Sequence, residues 1–455
     1  MRRTRFTFRR SGVRHPRNDV IRHICRRFLS CLLALVLANP WDSLHADDLR
    51  LLSQNNSWSS SGVPGSLDID LISHDALAMD GQVPCDASAS GTPPAEVCPR
   101  ECVGVGDFPH SILIPGTKTS VKIGGFAKFD FIQDFNSIGS TDDFDTSTIP
   151  TSGPQKGNTR LHARQTRLNV DLRHPTDLGA VQVFAEGDFF GSGNTFRLRH
   201  AYGNLGPVLA GQTWSTFMDE AVMPDLVDFE SPTGALLTRR AILRWTQPLT
   251  AIEGLEYSLA VEDPSPAFTS TAGTFENALP DFIGRLRFQR ESVHAQLAGF
   301  ATKASFNPTV GADSEATAWG VSLTGSLKVF ESDKIMGQVS YGDGIERFRG
   351  FSSYTLDASG SLIAIPALAC YVGYEHAWSD HWKSVLAYSR ATINNPAGAA
   401  PTAGKSTDYF AANILWIPVE RVRLGLEYLH GVRVDEDASR GDANRLQFAI
   451  WYYLP

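Results

Sequence analysis

Alternation of apolar and polar residues dominates this chain, in about sixteen short segments between residue 120 and the C-terminus. In the first of these segments Ala127, Phe129 and Phe131 fall on one side, while Lys128 and Asp130 fall on the other. A period of two is typical of β-strands, and an apolar face backed by a charged face fits strands with lipid outside and water inside. The sequence therefore predicts an all-β fold, a transmembrane antiparallel β-barrel.

The predicted strands are even in number, as bacterial single-chain barrels require. They lie near residues 119–132, 159–173, 179–190, 195–204, 206–214, 237–246, 254–263, 281–290, 292–302, 316–329, 334–343, 368–378, 382–392, 406–417, 420–431 and 444–454. The phase of the alternation changes within 159–173, which indicates a bulge in that strand.

The connectors between these strands are alternately short and long. Turns such as 174–177 and 379–381 are brief. The long connectors are 133–158, 215–236, 264–280, 344–367, 393–405 and 432–443, and only the link near 191–194 breaks the alternation. Outer-membrane barrels have short periplasmic turns and longer external loops, so both termini are expected on the periplasmic side.

Tryptophans lie close to the ends of the predicted strands. Those beside short turns are Trp245, Trp378, Trp382, Trp416 and Trp451, and those beside long loops are Trp214 and Trp319. This placement is typical of the two aromatic girdles of a membrane barrel.

Three regions are predicted along the chain. Residues 1–46 have an arginine-rich start, an apolar run and a cleavage site after Ala46, which are the features of a signal peptide. Residues 47–111 are rich in Ser, Gly, Pro and Asp and are expected to form an irregular periplasmic extension. Residues 112–455 are expected to form the barrel, because no apolar run after the leader reaches the roughly 18 residues of a membrane-spanning helix.

The charge balance limits the partners. The chain has a formal net charge of −8 at pH 7, and the arginine-rich leader leaves the mature part more acidic still. This balance argues against nucleic acid as a partner. Membrane lipid is the expected partner, and neither a metal site nor a cofactor is expected.

Cysteines are too few for disulfides to be the main support of the fold. Cys85, Cys98 and Cys102 lie in the extension, where one disulfide among the three is expected in an exported protein. Half of a metal site at Cys98 and Cys102 is the less favoured alternative, because no histidine or second cysteine pair accompanies them.

Basic residues recur on the predicted inner face of four alternate strands, near 159–173, 195–204, 237–246 and 281–290. They are Arg160, Arg164, Arg197, Arg199, Arg240, Arg244, Arg285 and Arg287. Each pair alternates with apolar partners, and an arginine facing lipid would cost about 2–4 kcal/mol at the middle of the bilayer. We therefore predict a basic ladder along the lumen.

The connector 215–236 combines acidic and apolar residues. Its acids are Asp219, Glu220, Asp225, Asp228 and Glu230. A loop that lies wholly in water has little use for so many apolar side chains, so this segment, called the constriction loop below, is expected to fold into the barrel and narrow the pore. An acidic loop facing an arginine ladder would filter small solutes by size and charge. The alternative is a plugged barrel in which the two sets of charges only neutralise each other.

Three segments resemble the DcaP-type porins of Gram-negative outer membranes: IPGTKTSVKIGGFAKFDF (residues 114–131), AEGDFFG (185–191) and RLRHAYGNLGPVLAGQTWSTFMD (197–219). The motif GQTWSTFMD is the most specific part, and the resemblance covers about residues 112–250. It implies a homotrimeric, sixteen-stranded channel that passes small anionic solutes such as dicarboxylates.

The function predicted from residues and resemblance together is passive diffusion through an outer-membrane porin, with a preference for small anions. A structural or adhesive barrel is the main alternative. A barrel enzyme is a weaker one, because no segment resembles a nucleophile motif.

Overall fold

The alternating segments form β-strands in the computed structural model, which describes residues 104–264, 270–330 and 332–454. The strands are β1 (Ile112–Leu113), β2 (Ser120–Asp134), β3 (Asn158–His162), β4 (Arg167–Thr176), β5 (Gly179–Asp188), β6 (Arg197–Leu205), β7 (Val208–Trp214), β8 (Arg239–Pro248), β9 (Leu255–Glu262), β10 (Gly273–Asn277), β11 (Asp281–Gln289), β12 (Val293–Pro308), β13 (Ser314–Val329), β14 (Asp333–Asp343), β15 (Tyr354–Leu356), β16 (Leu362–Ala364), β17 (Pro366–Ser379), β18 (Trp382–Ile393), β19 (Gly404–Val419), β20 (Val422–Asp435) and β21 (Arg440–Tyr453). Short 3-10 helices lie in the connectors at Thr146–Thr148, Ser192–Asn194, Glu220–Val222 and Ile345–Arg349. The predicted signal peptide and the cysteines of the predicted disulfide lie outside the described residues.

Antiparallel pairing closes these strands into a barrel. Each barrel strand pairs with its neighbour along the chain, and β21 returns to pair with β2, where Phe129 lies opposite Ile450. β3 and β4 both pair with β2 and together make one barrel strand, interrupted at residues 163–166. The result is the predicted closed barrel of sixteen antiparallel strands. β10 lengthens the wall beside β12, and β15 and β16 form a separate hairpin.

The two faces of the wall differ as the alternation predicts. On β2, Phe129 and Phe131 are 39% and 36% exposed on the outside, whereas Lys128 and Asp130 are 1% and 0% exposed on the inside. Charged side chains point inward because lipid offers them neither water nor partners. Within the described residues, no helix is long and apolar enough to cross a membrane.

The tryptophan girdles are only partly as predicted. Trp245, Trp319, Trp378, Trp382 and Trp416 are exposed on the outer face. Trp382 and Trp416 stack there with ring centroids 5.4 Å apart. The prediction is wrong for Trp451, which is 5% exposed. It is also wrong for Trp214, whose ring packs on His200. Both indoles accompany charged groups on the inner face of the wall.

The constriction loop folds into the barrel, as predicted. Phe217, Val222 and Val227 are each 0% exposed. Two further connectors also fold inward, which the sequence did not indicate: Phe144 in residues 135–157, the first long loop, and Phe348 in the 344–365 connector are buried.

Glycines on the inner face of β20 leave room for these inward loops. A Cβ on Gly425 would lie 2.7 Å from Val227 of the constriction loop. A Cβ on Gly431 would lie 2.9 Å from Ile149 and 3.0 Å from Phe144 of the first long loop. Any larger residue at either position would displace the loop that packs there, because interiors are close-packed.

Candidate pore constriction

Buried polar groups of the wall hold the backbone of the constriction loop. Lys128 of β2 donates a 2.7 Å hydrogen bond to the carbonyl of Val227. Glu427 of β20 accepts hydrogen bonds from the N–H groups of Val227 and Asp228, at 3.0 and 2.8 Å. Asn413 of β19 donates to the carbonyl of Asp225 at 2.9 Å. These bonds satisfy backbone groups that burial would otherwise leave unpaired.

Aromatic packing holds the start of the same loop. Phe217 lies against Phe300 of β12 and Phe348 of the 344–365 connector, with ring centroids 5.1 and 4.6 Å apart. The apolar residues that made this loop unusual in the sequence therefore pack on the wall and on a second inward connector. A loop packed in this way is held against the inside of the barrel.

Asp219 is bound to the wall formed by β11, β12 and β13. Its carboxylate lies 2.7 Å from His294 Nε2 and 3.2 Å from Arg287 Nη2, and it accepts a hydrogen bond from Thr324. Burial alone would raise the pKa of Asp219, but the hydrogen bond from His294 and the charge of Arg287 outweigh it and hold the pKa below its ordinary value. Asp219 is therefore an ionised anchor.

Asp225 is bound to the opposite part of the wall. Lys383 of β18 and Arg423 of β20 lie 2.5 and 2.6 Å from its carboxylate. Burial favours the neutral acid, yet these two cations outweigh it and lower the pKa of Asp225. The sequence prediction named the acid but neither of its basic partners.

Asp228 and Glu230 meet the first long loop. Asp228 accepts a 3.3 Å hydrogen bond from the N–H of Phe144, and Arg445 Nη1 lies 3.6 Å from its other oxygen. Burial, reinforced by the carboxylates of Asp143 and Asp145, raises the pKa of Glu230 well above its ordinary value. These acids join two inward loops and do not face the predicted arginines.

Glu220 faces the other side of the lumen. Its carboxylate lies within hydrogen-bonding reach of the Trp214 indole and close to the guanidinium groups of Arg167 and Arg199. Within the described chain it makes no ion pair, and its Oε2 atom is buried without a hydrogen-bond partner. Of the five predicted loop acids, Glu220 is the one that lies opposite basic residues of β4 and β6.

The predicted basic ladder divides into separate groups. Arg160 and Arg164 lie at the end of the barrel where the long loops are, and both bind Asp142 of the first long loop. Burial acts to raise the pKa of Asp142, but hydrogen bonds from the two arginines lower it. This pair therefore fixes the first long loop to the wall.

Arg197 and Arg199 of β6 pair with acids of β5. Arg197 binds Asp188 at 2.8 Å, and Arg199 binds Asp188 and Glu186 at 2.9 and 2.8 Å. The pairing of β5 with β6 shifts at this point, so that both Arg199 and His200 are buried on the inside. Such a shift is the signature of a β-bulge, which re-aims side chains. Arg197 keeps 36% of its side chain exposed to the lumen.

The remaining ladder residues have three different environments. Arg240 is buried and donates to the backbone carbonyls of Asp263 and Arg347, at 3.0 and 2.7 Å. Arg285 donates to the Ser258 hydroxyl at 2.8 Å and lies 3.3 Å from Glu256. Arg287 binds Asp219 of the constriction loop, as described above. In the described residues the guanidinium of Arg244 makes neither a hydrogen bond nor an ion pair.

Two further arginines line the same side and were missed. Arg167 of β4 lies 4.0 Å from Glu186, and its assignment was prevented by the interruption between β3 and β4. Arg239, at the start of β8, lies 4.6 Å from the Trp214 ring, and its charge interacts with those of Arg199 and Arg197. Of the arginines on this side, Arg167 and Arg199 lie close to Glu220. We call the whole set the arginine wall: Arg167, Arg197, Arg199, Arg239 and Arg244.

The geometry therefore combines a firmly held loop with a basic wall. Asp219 is bound to basic side chains of β11 and β12, Asp225 to basic side chains of β18 and β20, and Asp228 to a basic side chain of β21. Among the acids of the constriction loop, only Glu220 faces the arginine wall. In the described residues, the five guanidinium groups of the arginine wall are paired with only two carboxylates, those of Glu186 and Asp188.

The chain is similar to a known protein family and to several solved structures. The model of the DcaP outer membrane protein family matches residues 110–453. The outer membrane channel DcaP of Acinetobacter baumannii has a similar structure, with a TM-score of 0.68, 23% identity, and coverage of 74% of this chain and 97% of that one. An anion-selective porin from Comamonas acidovorans has a TM-score of 0.51, 12% identity, and coverage of 74% of this chain and 100% of that one. Salmonella typhi OmpF has a TM-score of 0.50, 11% identity, and coverage of 74% and 98%. No curated protein sequence matches the chain.

Proposed function

The chain belongs to the DcaP outer membrane protein family, and from that premise we propose that it lets small hydrophilic solutes diffuse passively across the outer membrane, with a preference for small anions such as dicarboxylates. Outer-membrane location follows from the family and the barrel. The family and the similar structures are channels and porins rather than enzymes.

The observation that supports the anion preference is the excess of guanidinium groups on the arginine wall. Arg239 and Arg244 have no carboxylate within ion-pair distance in the described residues, and Arg167 has only Glu186 at 4.0 Å. Arginine stays ionised at any physiological pH and presents a planar fork to carboxylates. Anions would therefore exchange one guanidinium partner for the next as they pass.

The assembly belongs to the same proposal. We expect a homotrimer embedded in membrane lipid, with the long-loop end outside the cell and both termini in the periplasm. The proposed regions of the chain are a signal peptide at 1–46, a periplasmic extension at 47–111 and the barrel from 112 to 455. Cross-linking of the purified protein in detergent would show a ladder ending at three subunits, and a chain that stays monomeric would contradict the trimer.

The decisive experiment is reconstitution of the purified protein in a planar bilayer under a potassium chloride gradient. We expect stepwise ion currents and a reversal potential of the sign that anion permeation produces. A reversal potential of the opposite sign would contradict the anion preference and leave the channel itself in place.

A sealed structural barrel is the second candidate. It is favoured by the three connectors that fold into the lumen in the described residues, where most inward charges are also paired. The same bilayer measurement separates the two candidates, because a sealed barrel would insert without carrying current. Absence of current from correctly folded protein would therefore overturn the channel.

A further inference from the structure

The side chains of Glu220 and its neighbour Asp219 point to opposite sides of the lumen. Asp219 caps the short 3-10 helix Glu220–Val222 by accepting a hydrogen bond from the N–H of Ala221. Its carboxylate also binds His294 and Arg287 of the wall behind the loop. With Asp219 held there, the side chain of Glu220 extends towards Trp214 and Arg167 on the other side.

The charged groups around Glu220 come from several elements. Arg167 belongs to β4, Glu186 to β5 and Arg199 to β6, while the Trp214 indole stands at the end of β7. On the opposite side of the helix, Lys334 of β14 donates a 3.1 Å hydrogen bond to the carbonyl of Ala221 and makes no ion pair with the Glu220 carboxylate. Near Glu220 the wall therefore carries two guanidinium groups, those of Arg167 and Arg199, and one carboxylate, that of Glu186.

Protonation or ionisation of an unpaired carboxylate at this position changes the net charge beside the arginine wall. Three of the other loop acids, Asp219, Asp225 and Asp228, are matched by cations at 2.5 to 3.6 Å. Glu230 also lacks an ion pair in the described residues, but it lies among carboxylates of the first long loop and not beside the arginine wall. Glu220 has no such match, and its Oε2 atom is buried without a hydrogen bond. When ionised, its charge subtracts from the field of the arginine wall, and when protonated it leaves that field whole.

We propose that Glu220 is the residue that determines how strongly the constriction prefers anions, and that this preference increases as Glu220 takes up a proton. The inference rests on the proposed channel function and deepens it, because it assigns the control of selectivity to one side chain of the constriction loop. It concerns the protonation of a group that no ion pair holds, and not a movement of the loop.

The acid strength of Glu220 places this change in the physiological range. Burial raises its pKa to about 7, against the hydrogen bond from Trp214 and the charges of Arg167 and Arg199, which lower it. Below that pH the acid is neutral and the arginine wall is uncompensated. Above it the acid is ionised, so the anion preference falls as pH rises through neutrality.

The test is the reversal potential of the full chain in a planar bilayer under a potassium chloride gradient, measured from about pH 5 to about pH 9. For the unmodified protein we expect the anion-to-cation permeability ratio to fall about two- to fourfold over this range, the effect of one charge acting across ~10 Å of water-filled lumen. Glu220→Gln should keep the higher ratio at every pH. Glu253→Gln, at an exposed turn of the short-turn end, is the control and should titrate like the unmodified protein.

Each outcome separates this inference from the channel function. If Glu220→Gln conducts and its selectivity still changes with pH as much as that of the unmodified protein, the inference is wrong while the channel stands. If Glu220→Gln misfolds, Glu220→Asp, which keeps the acid, must retain the titration, and a flat profile in that variant overturns the assignment. If the unmodified protein carries no current, the channel function fails first and the inference falls with it.

Discussion

Phe229, at the inner tip of the constriction loop, stacks on Phe190 in the link between β5 and β6, with ring centroids 4.0 Å apart and planes inclined by 11°. The guanidinium of Arg164 lies 4.6 Å from the Phe190 ring, and that of Arg197 lies 5.6 Å from both rings. Stacked aromatic rings flanked by cations are a favourable arrangement. Phe229 is thus bound to the arginine side of the barrel, while Asp219 and Asp225 of the same loop are bound to other parts of the wall.

We expect Phe229→Ala to release this tip and to raise both the single-channel conductance and the current noise. The aromatic pair contributes about 0.5–1.5 kcal/mol beyond the area it buries, which is enough to populate open positions of the tip once it is lost. Phe229→Tyr keeps the ring and should behave like the unmodified protein. Conductance and noise that are the same in Phe229→Ala would show that the stack does not restrict the passage.

Glu427 is expected to be the main polar anchor of the loop. Glu427→Ala leaves the N–H groups of Val227 and Asp228 buried and without their acceptor, at a cost of about 1–3 kcal/mol for each. The urea midpoint of unfolding from lipid vesicles should fall, and channel current should fluctuate more. Glu420→Ala, at an exposed turn next to the same strand, is the matched control and should leave both quantities unchanged.

Arg244 provides a direct test of the arginine wall. Because its guanidinium has no partner in the described residues, Arg244→Gln should cost little stability. The anion-to-cation permeability ratio should nevertheless fall about two- to fourfold, which corresponds to one charge removed across ~10 Å of aqueous lumen. Arg290→Gln at the exposed short-turn end removes a charge far from the lumen, and a comparable fall in that variant would show that net charge, rather than position, is responsible.

The ionisation of Asp143, in the first long loop, is expected to make the free energy of unfolding depend on pH. Burial, reinforced by the charges of Asp228 and Asp145, raises its pKa from an ordinary 3.8 to about 7. For an acid with a raised folded-state pKa, the favourable contribution is complete below the unfolded pKa and is lost as pH rises through the folded pKa. Asp143→Asn should therefore become more stable than the unmodified protein above about pH 7 and lose that advantage below about pH 4.

Urea unfolding from vesicles at a series of pH values measures this difference. A variant whose midpoint differs from that of the unmodified protein by the same amount at every pH would show that Asp143 does not titrate in this range. Asp437→Asn, in an exposed turn, gives the comparison for a carboxyl group that is not buried.

For the arginines, the sequence predicts the face of the wall on which each lies but not the acid with which it pairs. Parity along β6 and β8 placed Arg197 and Arg244 on the inner face, because a period of two assigns faces without any knowledge of the neighbours. Parity did not indicate that Arg197 is neutralised by Asp188 of β5 while Arg244 is left alone. Parity placed Arg199 correctly but did not indicate that His200, at the same bulge, is buried on the inside as well. It also left the face of Arg167 open, because the break before this residue resets the phase.

The barrel is predictable from the amino-acid sequence alone, as are its number of strands, the alternation of short and long connectors and the inward course of the constriction loop. Each of these depends on local patterns, namely alternation within a strand and apolar content within a loop. Other features arise only in the folded barrel: the contacts of Asp225 with Lys383 and Arg423, the inward course of the first long loop, and the position of Glu220 opposite the arginine wall without an ion pair in the described residues. These contacts join residues far apart in the chain. They depend on the register of strands that must first close into a barrel, so no local pattern of residues encodes them.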